Sequence, residues 1–159
     1  MKSILTLALL FSSAMSFAQL TQDEVSLIQS KYGKGKRELV QSYITFKDNA
    51  KATKFWKLYD AYEAERKQIG KEYLNLLQQY ADQYEKLDDS KADALVKKMA
   101  TNNRAYDDLL MKYYDKMKPE IGALTASQFI QLENYLRTVI KSYLLDEIPF
   151  IGEIDRTKK

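Results

Sequence analysis

No residue of this chain can act as an imidazole or a thiol, because its sequence holds neither histidine nor cysteine. That removes Ser-His-Asp and Cys-His nucleophiles, haem ligation through either type, and structural zinc. It also removes the Glu-x-x-His pairs on which carboxylate-bridged di-iron bundles depend. Carboxylate, lysine, serine and tyrosine are the groups left for chemistry. Carboxylates recur along the chain, as in Asp60 with Glu63 and Asp107 with Asp108. In a sequence that is 30% charged they read as a solvated helix face, and none stands out as a divalent-ion site. No glycine-rich loop follows a strand, so a nucleotide has no cradle. The expectation is a protein without catalytic residues, cofactor or metal, which is not an enzyme.

Tyrosine is the more informative type. There are twelve, mostly at helical spacing, each apolar along its ring and polar at its tip. At that spacing tyrosine reads first as core or seam. Its functional reading is a binding face, since tyrosine offers wide contact at small entropic cost. Tyr59, Tyr62, Tyr73, Tyr80 and Tyr84 are the candidates for such a face.

Long helices must carry these residues. Five glycines, two prolines and no Asn-Gly or Asp-Gly dipeptide leave little support for hairpins. The pattern predicts an all-α fold of four helices with one long central helix, forming an elongated hairpin or bundle without a β-sheet. Val25, Ile28 and Tyr32 start a first helix that Gly33 and Gly35 interrupt and that resumes through Leu39, Val40, Tyr43 and Ile44. Thr45 or Asp48 caps the second. There Phe55, Tyr59, Tyr62, Arg66, Ile69, Tyr73, Leu76, Tyr80 and Tyr84 alternate in steps of about four and three. Arg66, the one charge in that stripe, reads as a snorkelling or salt-bridged side chain at a seam. Ser90 or Asp89 caps a third helix, whose face includes Leu95, Val96, Met99, Tyr106, Leu109, Leu110, Tyr113 and Met117. Pro119 and Gly122 end it. The fourth shows Phe129, Leu132, Leu136, Val139, Ile140 and Tyr143, and Pro149 stops it.

The start of that fourth helix is the most rule-bound stretch. Thr125 suits the N-cap, Gln128 completes a capping box, and Leu124 with Phe129 forms a hydrophobic staple. Leu20, Thr21 and Glu24 repeat the device near the N-terminus. Ahead of it, Lys2, the apolar run Ile4 to Phe11 and Ser16-Phe17-Ala18 read as a signal peptide over residues 1–18, cleaved after Ala18. A helical domain then covers 19–147 and a C-terminal tail 148–159. Loss of Lys2 takes the net charge from +3 to +2, too small and too interspersed for a nucleic-acid footprint. No second long apolar run predicts stable membrane insertion. The tail around Ile148-Pro149-Phe150-Ile151 must dock on the bundle or serve as a contact.

The run Leu124-Thr125-Ala126-Ser127-Gln128, with its glutamate version at Leu20 to Glu24, resembles the motif of the LTXXQ superfamily of bacterial periplasmic helical proteins. That group includes Spy-type ATP-independent chaperones and CpxP-type envelope-stress regulators. Phe55 to Glu63, and Phe129 to Asn134 followed by Ile148-Pro149, are similar to runs in less characterised secreted helical proteins. Where another Leu-Thr cap would precede Phe55, this chain reads Phe46-Lys47-Asp48-Asn49-Ala50. The resemblance implies an elongated helical protein, periplasmic or secreted, able to pair as a homodimer. Its partner is then a protein or unfolded polypeptide, held in a chaperone-like or envelope-stress adaptor role. The alternative is a regulatory module for one envelope partner, such as a sensor or an anti-sigma system. A carboxylate- or lysine-based hydrolase is the weakest of the three readings.

Overall fold

A glycine between two long helices sets the register of the whole molecule. The computed structural model describes residues 26–29 and 31–150. In it, α1 (Lys36–Tyr43), α2 (Asn49–Gln83), a 3-10 turn (Tyr84–Lys86), α3 (Asp89–Ile121) and α4 (Ala123–Asp146) follow in order. Residues 26–29 and 31–32 are helical ahead of α1, and no strand occurs among the described residues. Gly122, alone between α3 and α4, has φ 91° and ψ 149°, and it turns the chain back on itself. Pairs across the turn, Asp107 with Arg137 and Asn103 with Lys141, are equidistant from it in sequence. The α2–α3 hairpin is antiparallel too, with Lys54 on Glu120, Glu65 on Lys112 and Ile69 on Asn102. Helices of 35 and 33 residues at 1.5 Å per residue make it about 50 Å long.

The expected all-α architecture with one long central helix is what forms. Gly33, at φ +67°, interrupts the first helical segment as its type predicts. Asp48 rather than Thr45 caps α2, its carboxylate accepting from the N–H of Ala50 at 2.8 Å and of Lys51 at 3.4 Å. The expected stripe on α2 is largely the core face, since Phe55, Tyr59, Tyr62, Arg66 and Leu76 are buried.

Several local readings need correction. Asp88, one residue before the expected Asp89 or Ser90, caps α3 through the N–H of Lys91 at 2.9 Å. Pro119 does not end α3; it lies in its last turn, where the helix runs on to Ile121 and Gly122 stops it. Val96, expected on the apolar face, is 65% exposed. The box at Leu124, Thr125, Gln128 and Phe129 does not form. Gly122 is the N-cap, its carbonyl accepting from Ala126 N–H at 3.1 Å, so Thr125 already lies inside the first turn and its side chain caps nothing. Leu124 is 75% exposed while Phe129 is fully buried, and a staple needs both together. The physical reason is that a backbone only glycine adopts fixes the helix start three residues earlier than the side-chain pattern does.

Thr125→Ala should therefore change the free energy of unfolding by less than about 0.5 kcal/mol, as at surface positions without a special role. Gly122→Ala should cost roughly 1–3 kcal/mol, because its φ and ψ lie in a region essentially confined to glycine. A Cβ there meets nothing within 4 Å, so the cost is backbone strain and not a clash. Urea denaturation of the two variants measures both, and equal losses would restore Thr125 as the cap.

The core gathers at the Gly122 end. Phe55, Tyr59, Tyr62, Tyr113, Met117 and Phe129 form its centre. A smaller cluster around Leu74, Leu77 and Leu144 lies toward the opposite end, with Ile148 packed on it. The tail thus begins by docking, and Phe150 after it is 54% exposed. The proposed signal peptide over 1–18 with its cut after Ala18, the motif at Leu20, Thr21 and Glu24, and Ile151 lie outside the described residues. No described helix is long and apolar enough to cross a membrane.

Candidate functional site: a buried polar cluster and a distal groove

Two charged residues sit in otherwise apolar stripes, and the fold brings them together. Arg66 on α2 is 9% exposed and Glu133 on α4 is 1% exposed. Lys36, at the start of α1, reaches between them and donates to Glu133 Oε2 at 2.8 Å and to Glu63 Oε1 at 2.6 Å. Arg66 Nε donates to the same Glu63 oxygen at 2.9 Å. The Tyr62 hydroxyl donates to Glu133 Oε2 at 2.8 Å. It lies 3.1 Å from the Tyr106 hydroxyl, which is left to donate to it. Two lysine or arginine cations thus face two carboxylates, so the cluster is close to neutral and its members are tied to three helices and α1's first turn.

Burial governs the electrostatics. It would push the Glu63 carboxyl up, but Lys36 and Arg66 outweigh it and hold the group below its ordinary value of 4.5. Burial drives the Tyr62 phenol far above its ordinary value, with Glu133 adding to it, and raises Tyr59 and Tyr106 in the same way. Tyr113 is pushed up to about 12 by burial and by its hydrogen bond to Glu65. Glu63, whose carboxylate reads from sequence as solvated, is instead a seam residue. Glu133 is the residue sequence reasoning passes over. Its signal is its place four after Phe129 and three before Leu136, a lone charge in a stripe just as Arg66 is.

Beside the cluster lies a cavity of about 50 Å³. Glu133, Arg66 and Tyr106 stand at one end of it, Leu74 and Leu144 at the other, with Asn102, Arg137 and Lys141 between. Arg137 Nη1 donates to Asp107 at 2.7 Å and Nη2 to Asn103 Oδ1 at 3.0 Å, and its guanidinium lies 4.0 Å from the Tyr106 ring centre. Lys141 Nζ donates to Asn103 Oδ1 at 3.0 Å and lies 5.2 Å from the Tyr73 ring centre. Desolvation and Arg137 lower the Lys141 ammonium below its usual value, only partly countered by Asp107.

The expected tyrosine face divides in two. Tyr59 and Tyr62 are 2% and 0% exposed, so they are not available as a binding face. Their rings pack edge-on against Phe129 at 6.2 and 5.1 Å. Tyr73, Tyr80 and Tyr84 stay half-buried. Tyr73 and Tyr80 line a groove of about 310 Å³ with Leu77, Leu95, Val96 and Met99, and Tyr84 packs on Tyr80 at 5.6 Å. The groove has a simple origin. α4 is 24 residues long and α3 is 33, so with Gly122 between them the far ends of α2 and α3 project past the end of α4, and Lys141, Leu145 and Ile148 close the groove on its α4 side.

Among the described residues no three acidic side chains converge as they would around a metal ion. No protein-family model, curated protein or solved structure matches the chain.

Proposed function

We propose that the chain is a non-enzymatic exported binding protein of the LTXXQ kind, which holds an apolar stretch of one envelope polypeptide in the distal groove. The observation that carries this is the groove at the far end of the α2–α3 hairpin, which Leu145 and Ile148 close on one side only. There Tyr73 and Tyr80 flank an apolar floor, and Val96 is 65% exposed. Such a floor suits an amphipathic helix or an extended apolar segment, with aromatic walls for broad contact. Export rests on the residue pattern of positions 1–18, and the LTXXQ kinship on Leu124, Thr125 and Gln128 with their N-terminal counterpart.

Of the two binding roles, the specific module is favoured over the general holdase. A cradle for many clients needs a broad open face, whereas here the tyrosine seam of α2 is closed by α3 and α4. The holdase reading keeps one point in its favour, the scattered exposure of Tyr43, Met111, Leu124 and Tyr135. Cross-linked capture from an envelope fraction, with the parent chain and Val96→Glu, decides between them. The expected result is one stoichiometric partner that Val96→Glu loses while melting normally. A spread of denatured proteins retained equally by both would favour the holdase.

A further inference from the structure

The cavity beside the polar cluster makes three chemical demands that the protein's own side chains leave unmet. Glu133 lines it and is 1% exposed, yet both of its hydrogen bonds, from Lys36 and Tyr62, fall on Oε2. Oε1 is buried without a hydrogen-bond partner. A buried carboxylate oxygen in that state carries its full desolvation cost, so this end of the cavity calls for a donor. Further along, Arg137 and Lys141 line the wall. Arg137 shares Asp107, which is 65% exposed. Lys141 has a neutral amide as its hydrogen-bond acceptor and no carboxylate within ion-pair distance among the described residues. This stretch calls for an anion. The remaining wall, from Ile69, Leu136 and Ile140, is apolar.

Gly70 is the fourth observation. It sits in mid-helix in α2, where glycine costs about 1 kcal/mol relative to alanine. It lines the cavity, and a Cβ built on it meets only Arg66 Nη1, at 3.9 Å. No packing within the protein forbids alanine there. What glycine provides is room in the cavity.

Ligand classes can be sorted on these demands. An amine would satisfy Glu133 but would bring a positive charge beside Lys36, Arg66, Arg137 and Lys141. A simple carboxylate would satisfy Lys141 and leave Glu133 Oε1 unmatched. A neutral alcohol meets Glu133 and leaves the cations unanswered. One compact class meets all three demands. We infer that the cavity is a binding site for a small hydroxy-carboxylate, whose hydroxyl donates to Glu133 Oε1 while its carboxylate lies against Lys141 and Arg137. A water needs roughly 10–15 Å³ of such space, so a cavity of about 50 Å³ holds a ligand of about five non-hydrogen atoms, the size of glycolate. The site adjoins the distal groove, with which it shares Tyr73, Asn103 and Lys141, and its test does not depend on what that groove binds.

The test uses the full chain with four probes: glycolate, lactate, acetate and ethylene glycol. Ligand-observed NMR and calorimetry at millimolar concentration should show saturable glycolate binding. Acetate, lacking the hydroxyl, and ethylene glycol, lacking the carboxylate, should each bind at least about tenfold more weakly, as a lost hydrogen bond to a charged group implies. Lactate reports whether the apolar wall has room for a methyl group, and binding at least as tight as acetate is expected. Gly70→Ala supplies the control against a folding artefact. It should raise the melting temperature through helix propensity and yet weaken glycolate by about tenfold or more. Lys141→Gln should remove the preference of glycolate over ethylene glycol. No saturable glycolate binding, equal binding of acetate and glycolate, or undiminished binding in a more stable Gly70→Ala protein would each overturn the inference.

Discussion

Glu133→Leu should lower the free energy of unfolding by about 3 kcal/mol, the lower end of what breaking a buried charge pair costs. The lower end applies because neither donor is wholly abandoned. Lys36 keeps Glu63 at 2.6 Å, and the Tyr62 hydroxyl keeps Tyr106 at 3.1 Å. What the variant creates is a cluster with two cations facing one carboxylate, at side chains only 11–16% exposed. Leucine at 133 would itself suit the stripe formed by Phe129 and Leu136, so the loss measures charge imbalance and not packing. A Lys36→Met, Glu133→Leu double variant separates these. It removes one charge of each sign, and a buried pair replaced by apolar groups is often neutral or better, so it should recover at least about 1 kcal/mol of the loss. Denaturant unfolding of the parent, both single variants and the double variant closes the cycle. A single Glu133→Leu variant as stable as the parent would show that the cluster contributes nothing.

Acid provides a second handle on the same cluster. The Glu63 carboxyl is held below 4.5 in the folded protein. A group whose folded value is depressed contributes stability that is present above its ordinary value and lost as the pH falls through the folded one. The share of stability that Glu63 contributes is therefore complete near neutrality and is lost as the pH falls below about 4.5 toward its folded value.

How far the sequence disclosed this arrangement depends on the range of the cause. Stripes are local, so the Phe55–Tyr59–Tyr62–Arg66 face could be read from spacing alone, and so could the break at Gly33, while the cap of α2 could be narrowed only to Thr45 or Asp48. Arg66 could even be assigned to a seam. Its surroundings could not, because they depend on Lys36 and Glu133, which lie 97 positions apart. Nothing in the neighbourhood of Glu63 tells a solvated glutamate from one that a distant lysine meets. The distal groove was illegible for a different reason. It follows from the unequal lengths of α3 and α4 about Gly122, and helix ends are where sequence patterns are least binding. Tyr80 therefore shares the residue type and spacing of Tyr59 and Tyr62, and only the reach of α4 leaves it partly open.

The run from Leu124 to Phe129 shows the same division between pattern and energy, and it yields the second large effect. Phe129→Ala should cost about 4 kcal/mol, within the usual range for truncating a buried phenylalanine. Its ring is fully buried and meets Tyr62, Phe55 and Tyr59 at centroid distances of 5.1, 6.0 and 6.2 Å, each pair close to perpendicular. Edge-on pairs of that kind add to the area term, and the void opens between α2 and α4 where no neighbour is free to close it. Leu124→Ala, at a side chain 75% exposed, should cost less than about 0.5 kcal/mol. Gln128→Ala should behave alike, since Gln128 lies on the exposed side of α4. Urea midpoints for the three variants, at unchanged slope, test the ranking. Equal losses at Leu124 and Phe129 would mean that the staple forms in solution. The expected inequality places the stabilising weight of the motif on its last residue, which anchors α4 to the aromatic core, while Gly122 decides where that helix begins.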